Sequence, residues 1–248
     1  MHKITSKTIL IRHGCTKSCS YCTFDKQYIQ DESIENILTL VGNDCDIVQL
    51  SGINMNEYEK LFELIDTITK TNVRVINIDH IIPSTKHSYQ LLNTVLQNSK
   101  MSKYINLPLQ SGCNETLKRM NVGHTIEEAI TYIRPEFDYT INVIVGFPGE
   151  TDEEFEETFE FLKKLKQINN NIIYAVKEYI PYKKSKSYHL PNQINNEIKR
   201  QRYLRIKTSE LGRMPEPRYD YVFPACLQTS ISFDPWYPNV GPKKWGDK

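Results

Sequence analysis

The stretch "TILIRHGCTKSCSYC", Thr8 to Cys22, decides how this chain is read. Thr8 to Arg12 is a short β-branched, apolar run of the kind that forms a buried strand. Three cysteines, Cys15, Cys19 and Cys22, crowd the loop that follows, and no fourth lies near them. A strand that runs straight into a cluster of soft ligands predicts a metal-bearing loop at the strand's C-terminal end.

Outward from that stretch, similar runs recur at Asp46–Leu50, Val73–Ile78, Tyr104–Leu109, Tyr139–Val145 and Asn171–Val176. Each is followed by an amphipathic segment. Helices are expected over Ser33–Val41, over Asn56–Lys70, from Thr151 onward, and over Asn195–Leu211. Thr151 and Glu154 form a capping box there, and Phe155, Phe159 and Leu162 share a stripe. Strand-then-helix alternation implies parallel strands joined by right-handed crossovers. Eight such units close a barrel, so six predict an open, partial TIM-type (βα)6 barrel over residues 1–211. Residues 212–248 are rich in Pro and aromatics without a period, and are expected to form a tail that covers the barrel or touches substrate.

The bulk composition excludes some classes. With 39% hydrophobic and 25% charged residues it is ordinary for a soluble domain, and no apolar run reaches the roughly 18 residues of a membrane span. No secretory signal is read at the start, so a cytoplasmic protein with no membrane partner is expected. The six cysteines therefore favour a metal site over a disulfide framework. The net charge of +1 hides an asymmetry: Lys183 to Arg213 holds nine basic and two acidic residues, and Glu150 to Glu160 holds seven acidic and none basic. The first block meets phosphates or forms a solvated face.

Three thiolates at short spacing suit an iron–sulfur cluster with one iron left open for a ligand. Zinc is the alternative, although structural zinc sites close with four protein ligands and only His13 stands nearby.

The C-x3-C-x2-C spacing, with Tyr21 before the third cysteine, resembles the radical SAM superfamily. "LSGIN" after the second strand, "LPLQSGCNETLKRMN" after the fourth and "VGFPGETDEEFEET" after the fifth resemble its methylthiotransferase family, over roughly Thr8 to Ile206. The resemblance implies a [4Fe-4S] cluster on Cys15, Cys19 and Cys22, with S-adenosylmethionine chelated at the open iron and reductively cleaved to a 5′-deoxyadenosyl radical. It implies a tRNA or ribosomal-protein substrate and an electron donor such as flavodoxin or ferredoxin. In the cofactor pocket, Ser51, Gly52 and Asn54 are expected at the ammonium of the cofactor. Gln110 and Ser111 are expected to project into the barrel mouth, with Gly112 allowing close backbone approach. Gly146 and Pro148 are expected to make the turn beside the adenine, with Val145 and Phe24 as apolar walls, and Tyr21 to belong to the same pocket.

The chain departs from that family at both ends. The domain that carries a second, auxiliary cluster is expected to be absent, as is the terminal RNA-gripping barrel, so a partner supplying that cluster is one expectation. A different radical reaction, or a non-catalytic partner subunit, are the alternative readings. Cys45, Cys113 and Cys226 are read as isolated thiols, and His13, His80 and His124 as packing or loop residues.

Overall fold

A computed structural model describes residues 4–23 and 28–212 of the chain. Phe24, Cys226 and all of the expected tail beyond Gly212 lie outside the described residues.

All six expected strands are present. In chain order the elements are β1 (Ser6–His13), β2 (Gln30–Asp31), α1 (Ile34–Val41), β3 (Ile47–Gly52), α2 (Leu61–Thr69), β4 (Val75–Ile78), α3 (Ser88–Gln97), β5 (Tyr104–Gln110), α4 (Asn114–Met120), α5 (Ile126–Ile130), β6 (Asp138–Val145), α6 (Asp152–Ile168), β7 (Ile172–Glu178) and α7 (Asn196–Thr208). The strands β1, β3 and β4 pair in parallel, as do β5, β6 and β7. Between the two groups the ladder thins to a bridge from Ile76 to Met101 and a bond from Ile81 N to Asn106 O of 2.9 Å. The strands thus follow one another in sequence order around an open barrel wall, as the βα alternation requires.

Two local features differ from expectation. The unforeseen β2 is a two-residue strand that folds back antiparallel on β1, pairing Arg12 with Asp31 and His13 with Gln30, and so closes the root of the cysteine loop. Helix α2 begins at Leu61 rather than Asn56, because Met55–Glu57 forms a 3-10 turn and the buried Tyr58 donates its hydroxyl to Glu32 O at 2.7 Å. That bond pins the chain before a helix can start.

Strand alternation separates two faces. Ile9, Ile11, Val48, Leu50, Ile76, Leu107, Ile141, Val143 and Tyr174 pack in an apolar core with α1, α2, α3 and α6. Their neighbours on the other face, Gln49, Asn77, Asn106 and Asn142, are half-buried carboxamides. A closed barrel fills its interior with branched apolar side chains. Here the inner wall can form hydrogen bonds instead. Helix α6 starts on the expected capping box and buries Phe155, Phe161, Leu162 and Leu165, each worth about 1.5–3 kcal/mol of apolar transfer.

Candidate functional site

Cys15, Cys19 and Cys22 leave the end of β1 as half-buried thiols on a loop fixed from three directions. On the α4 side, Ser20 donates its amide to Met120 O (2.8 Å) and its hydroxyl to Arg119 O (2.9 Å), and Asn121 Nδ2 donates to Ser18 O (2.8 Å). On the β3 side, Thr16 donates its hydroxyl to Glu57, and Asn54 Nδ2 lies 3.6 Å from Cys15 Sγ. Beyond β7, Ser187 N donates to Ser20 O at 2.8 Å. The root is held by Arg12, 6% exposed, whose guanidinium spans Asp31 and Glu57.

The thiols sense one another. Burial pushes the Cys19 thiol up, the hydroxyl of Tyr21 bonded to it pulls it back, and charge on Cys22 and Cys15 raises it again. Three thiolates on one loop repel one another, and iron would supply the positive charge that offsets this. Cys15 Sγ already accepts from Lys17 N at 3.4 Å and from Asn54, the bonding that a ligand sulfur takes. Among the described residues, no group of three or more His, Cys, Asp or Glu side chains is gathered around a common point for a metal ion. The donor set, rather than a closed cage, is what fits a cluster.

Beside it, Asn54 is fully buried and its Oδ1 has no hydrogen-bond partner among the described residues. A buried acceptor of that kind calls for a donor from outside the described chain, and the ammonium of an amino-acid moiety is one. Ser51 Oγ donates to Asp79 Oδ2 at 2.9 Å. Asp79, just after β4, was missed from the sequence, although a carboxylate at the functional end of a strand is itself a signal. Burial raises its carboxyl, but bonds from His80, Ser51 and Gln49 outweigh this and leave its pKa below the ordinary value. Gly52, buried, pairs with Arg12 in the β1–β3 ladder. His80 Nε2 and Asn77 Nδ2 are likewise buried without partners.

The strand ends of β5 and β6 correct several expectations. Ser111 is fully buried and turned to α6, its hydroxyl 3.0 Å from Thr158 Oγ1, so it does not project into the mouth. Gly112 does permit a close approach, but to α6: a Cβ there would lie 2.9 Å from both Phe161 Cβ and Thr158 Cα. Val145 is fully buried within the helix-side core instead of forming a pocket wall. Gln110, 8% exposed, holds a left-handed backbone with φ 73° at the end of β5. Gly146 makes its expected turn with φ 74°, and a side chain there would collide with Lys199 of α7. Pro148 is buried in the same turn. Phe147 next to it stacks edge-on with Tyr21 (6.5 Å) and Tyr179 (5.2 Å), joining this turn to the cysteine loop.

Three ion pairs fasten that side. Glu150, 1% exposed, accepts from Gly146 N (2.6 Å) and from Arg202 Nη1 (2.7 Å), and Arg202 also reaches Asp152 (2.7 Å). Burial pushes the Glu150 carboxyl up to about 7, against the pull of Gly146 N–H and Arg202. Arg119 is committed to Glu154, with Nη1 to Oε1 at 2.9 Å, and to Thr116. His124 is buried as a packing residue, its Nε2 3.1 Å from Leu109 O. Cys113 is a buried thiol before α4, and Cys45 lies at the opposite end of the barrel, before β3.

The chain is similar to known proteins. The model of the radical SAM superfamily matches residues 9–162. A tRNA-2-methylthio-N(6)-dimethylallyladenosine synthase of Ehrlichia chaffeensis is 30% identical over 82% of this chain and 49% of its own length. One from Alkaliphilus oremlandii is 28% identical over 82% and 47%. The chain thus spans about half the length of the curated relatives it matches. Among solved structures, coproporphyrinogen III oxidase (HemN) from Escherichia coli, a radical SAM enzyme, superposes with a TM-score of 0.59 at 15% identity, over 84% of this chain and 52% of that one. The radical S-adenosylmethionine methyltransferase TsrM from Kitasatospora setae gives 0.56 at 14%, over 74% and 38%. Those likenesses carry the fold. No helix among the described residues is long and apolar enough to cross a membrane. With the family model covering well over half of the chain, and the thiol loop standing at the end of its first strand, the protein belongs to the radical SAM superfamily.

Proposed function

We propose that this chain holds a [4Fe-4S] cluster on Cys15, Cys19 and Cys22, binds S-adenosylmethionine beside it, and forms the radical core of a methylthiotransferase-like modifier of tRNA. The reading rests on one observation above the others: Asn54 touches a ligand thiol with its Nδ2 and keeps a buried, unpartnered Oδ1 beside it. When bound, the cluster and S-adenosylmethionine supply a 5′-deoxyadenosyl radical that removes hydrogen from an unactivated C–H bond.

The chain's own residues bind, orient and shield. Lys17 N and Asn54 Nδ2 donate to Cys15 Sγ and so orient it. Tyr21, 5% exposed, excludes water from Cys19 while bonding to it. Asn54 Oδ1 would accept from the cofactor's ammonium, and Ser51, oriented by Asp79, stands on the same turn. The turn of Gly146 and Pro148 would border the adenine. Ser111 and Val145 act one layer further out, by holding β5 and β6 against α6 and the core. The electron donor is of the flavodoxin or ferredoxin kind, and any auxiliary cluster for sulfur insertion comes from a partner.

Anaerobic reconstitution followed by dithionite and S-adenosylmethionine tests the reading. About four irons per chain and release of 5′-deoxyadenosine are expected. A well-formed cluster that releases none would make the chain a non-catalytic subunit. Mass spectrometry of tRNA nucleosides from cells with and without the gene tests the substrate: a lost methylthio-adenosine supports tRNA, and unchanged nucleosides with an altered ribosomal protein would replace it.

A further inference from the structure

The segment "YKKSKSYH", Tyr182 to His189, follows β7 and therefore lies at the same end of the barrel as the cysteine loop. Its side chains divide sharply. Ser185 and Ser187 are buried, whereas Lys183, Lys184, Lys186, Tyr188 and His189 are exposed. The buried half is a dense hydrogen-bond knot: Ser185 Oγ to Tyr182 O at 2.8 Å, Tyr179 Oη to Ser187 Oγ at 2.8 Å, and Gln193 Nε2 to Ser187 O at 3.1 Å. The segment is also tied directly to the chemistry, because Ser187 N donates to Ser20 O inside the cysteine loop.

The outer half is a set of cations without counter-charges. Lys183, Lys184 and Lys186 form no ion pair among the described residues, and no acidic residue occurs between Tyr179 and Asn196. Other lysines of this molecule have found anions, such as Lys70 with Asp66 (2.6 Å) and Lys86 with Glu59 (2.6 Å). Tyr188 stands edge-on to His189, ring centroids 5.2 Å apart, and presents a fixed aromatic face beside the lysines. Across the loop, where Ser20 meets Arg119 and Met120, the exposed Lys118 in the last turn of α4 extends the positive path. Unpaired cations on a turn and a 3-10 helix (Lys186–His189) that buried serines anchor, with an aromatic among them, suit the phosphates and bases of a single-stranded polynucleotide.

We propose that Tyr182–His189 is an RNA-backbone docking strap, in which Lys183, Lys184 and Lys186 hold phosphates and Tyr188 stacks a base, leading the strand to the cysteine loop. The inference deepens the tRNA reading and rests on it for the identity of the RNA, but the strap itself is tested without any radical chemistry.

The experiment is fluorescence anisotropy of the full-length reconstituted protein with a labelled 17-nucleotide RNA stem-loop across a salt series. In K183S/K184S/K186S the slope of log affinity against log salt falls by about two, at roughly 0.7 per single-strand phosphate contact, and affinity at low salt drops about thirtyfold. Y188A weakens binding about tenfold with the slope retained. K60S/K70S/K164S, with equal charge loss on the outer helices, changes affinity less than about twofold. Iron content and S-adenosylhomocysteine affinity stay at wild-type values in all three. An unchanged slope in the strap variant overturns the proposal, as does an equal loss in the outer-helix control or a wild-type protein that ignores the RNA. Should 5′-deoxyadenosine release fail while the strap effect persists, the radical reading falls and the strap stands.

Discussion

The ends of β1, β3 and β4 and the ends of β5 and β6 face the same mouth but are built oppositely. In the first group, buried polar atoms are left open: Asn54 Oδ1, Asn77 Nδ2 and His80 Nε2 have no partners among the described residues. The second also keeps buried atoms open, at Arg119 Nε, His124 Nδ1, Glu150 Oε1 and Arg202 Nε, but there they sit mostly within ion pairs, Arg119 with Glu154 and Glu150 with Arg202, while Ser111 is bonded to Thr158. A buried polar group left open costs stability and is retained where a ligand completes it. We therefore propose the first group, whose open atoms are neutral and lie beside the thiol loop, as the ligand-receiving side, and the second, laced by ion pairs, as the scaffold that holds the mouth in shape. The contrast predicts that changes on the first side cost cofactor binding with little stability, and changes on the second cost stability first.

The largest effect expected is at the thiols. Cys19→Ala should drop bound iron well below four per chain and 5′-deoxyadenosine release by at least about a thousandfold, because losing a ligand loses the metal. Near-normal melting of the iron-free protein checks the contrast. Next, on the scaffold side, Arg202→Ala strands the Glu150 carboxylate in the interior. Breaking a buried pair from one side costs about 3–5 kcal/mol, and Glu150→Leu added to Arg202→Met should recover most of it. Thermal and urea unfolding measure both. A single mutant that melts normally would remove α7 from the scaffold.

His124 sharpens the same side through pH. Burial holds its pKa down to about 4 from 6.5, so the folded ring stays neutral where the unfolded one takes up a proton. Its contribution is complete above pH 6.5 and is lost as pH falls towards 4, by up to about 3 kcal/mol. His124→Gln keeps a donor for Leu109 O and should flatten that part of the stability–pH curve.

On the receiving side, Asn54→Ala should weaken S-adenosylhomocysteine binding by about tenfold, the worth of a modest charge-assisted hydrogen bond. Because Oδ1 has no partner to lose, unfolding free energy should move by less than about 1 kcal/mol, which equilibrium unfolding checks.

How far the sequence anticipates these differences follows from range. The strands were legible because β-branched runs such as "YTINVIV" declare themselves locally, and α6 because Thr151 and Glu154 cap it within four residues. The cysteine triplet was legible because its spacing is short. Ser111 and Val145 were misread because motif position gives a strand end but not which face a side chain takes, and both point to the helices. The two-residue β2 is too short to show a period. The bonds from Arg202 to Glu150 and from Ser187 to Ser20 cross long stretches of chain, which no local pattern records.

The smallest effect tests whether the two sides are independent. Thr151 Oγ1 accepts from Glu154 N (3.2 Å), and Glu154 Oε2 accepts from Thr151 N (3.2 Å) while the same carboxylate holds Arg119. Thr125→Ala, which removes the matching box on α5, serves as the comparison, since Glu128 there grips no arginine. Each should cost about 1 kcal/mol of unfolding free energy, the worth of a lost cap. If scaffold and receiving side are separate, Thr151→Ala leaves iron content and S-adenosylhomocysteine affinity where Thr125→Ala leaves them. If Thr151→Ala alone lowers iron retention, the loosened Glu154 must act through Arg119, whose carbonyl accepts the Ser20 hydroxyl, and the cap of α6 then belongs to the cysteine loop.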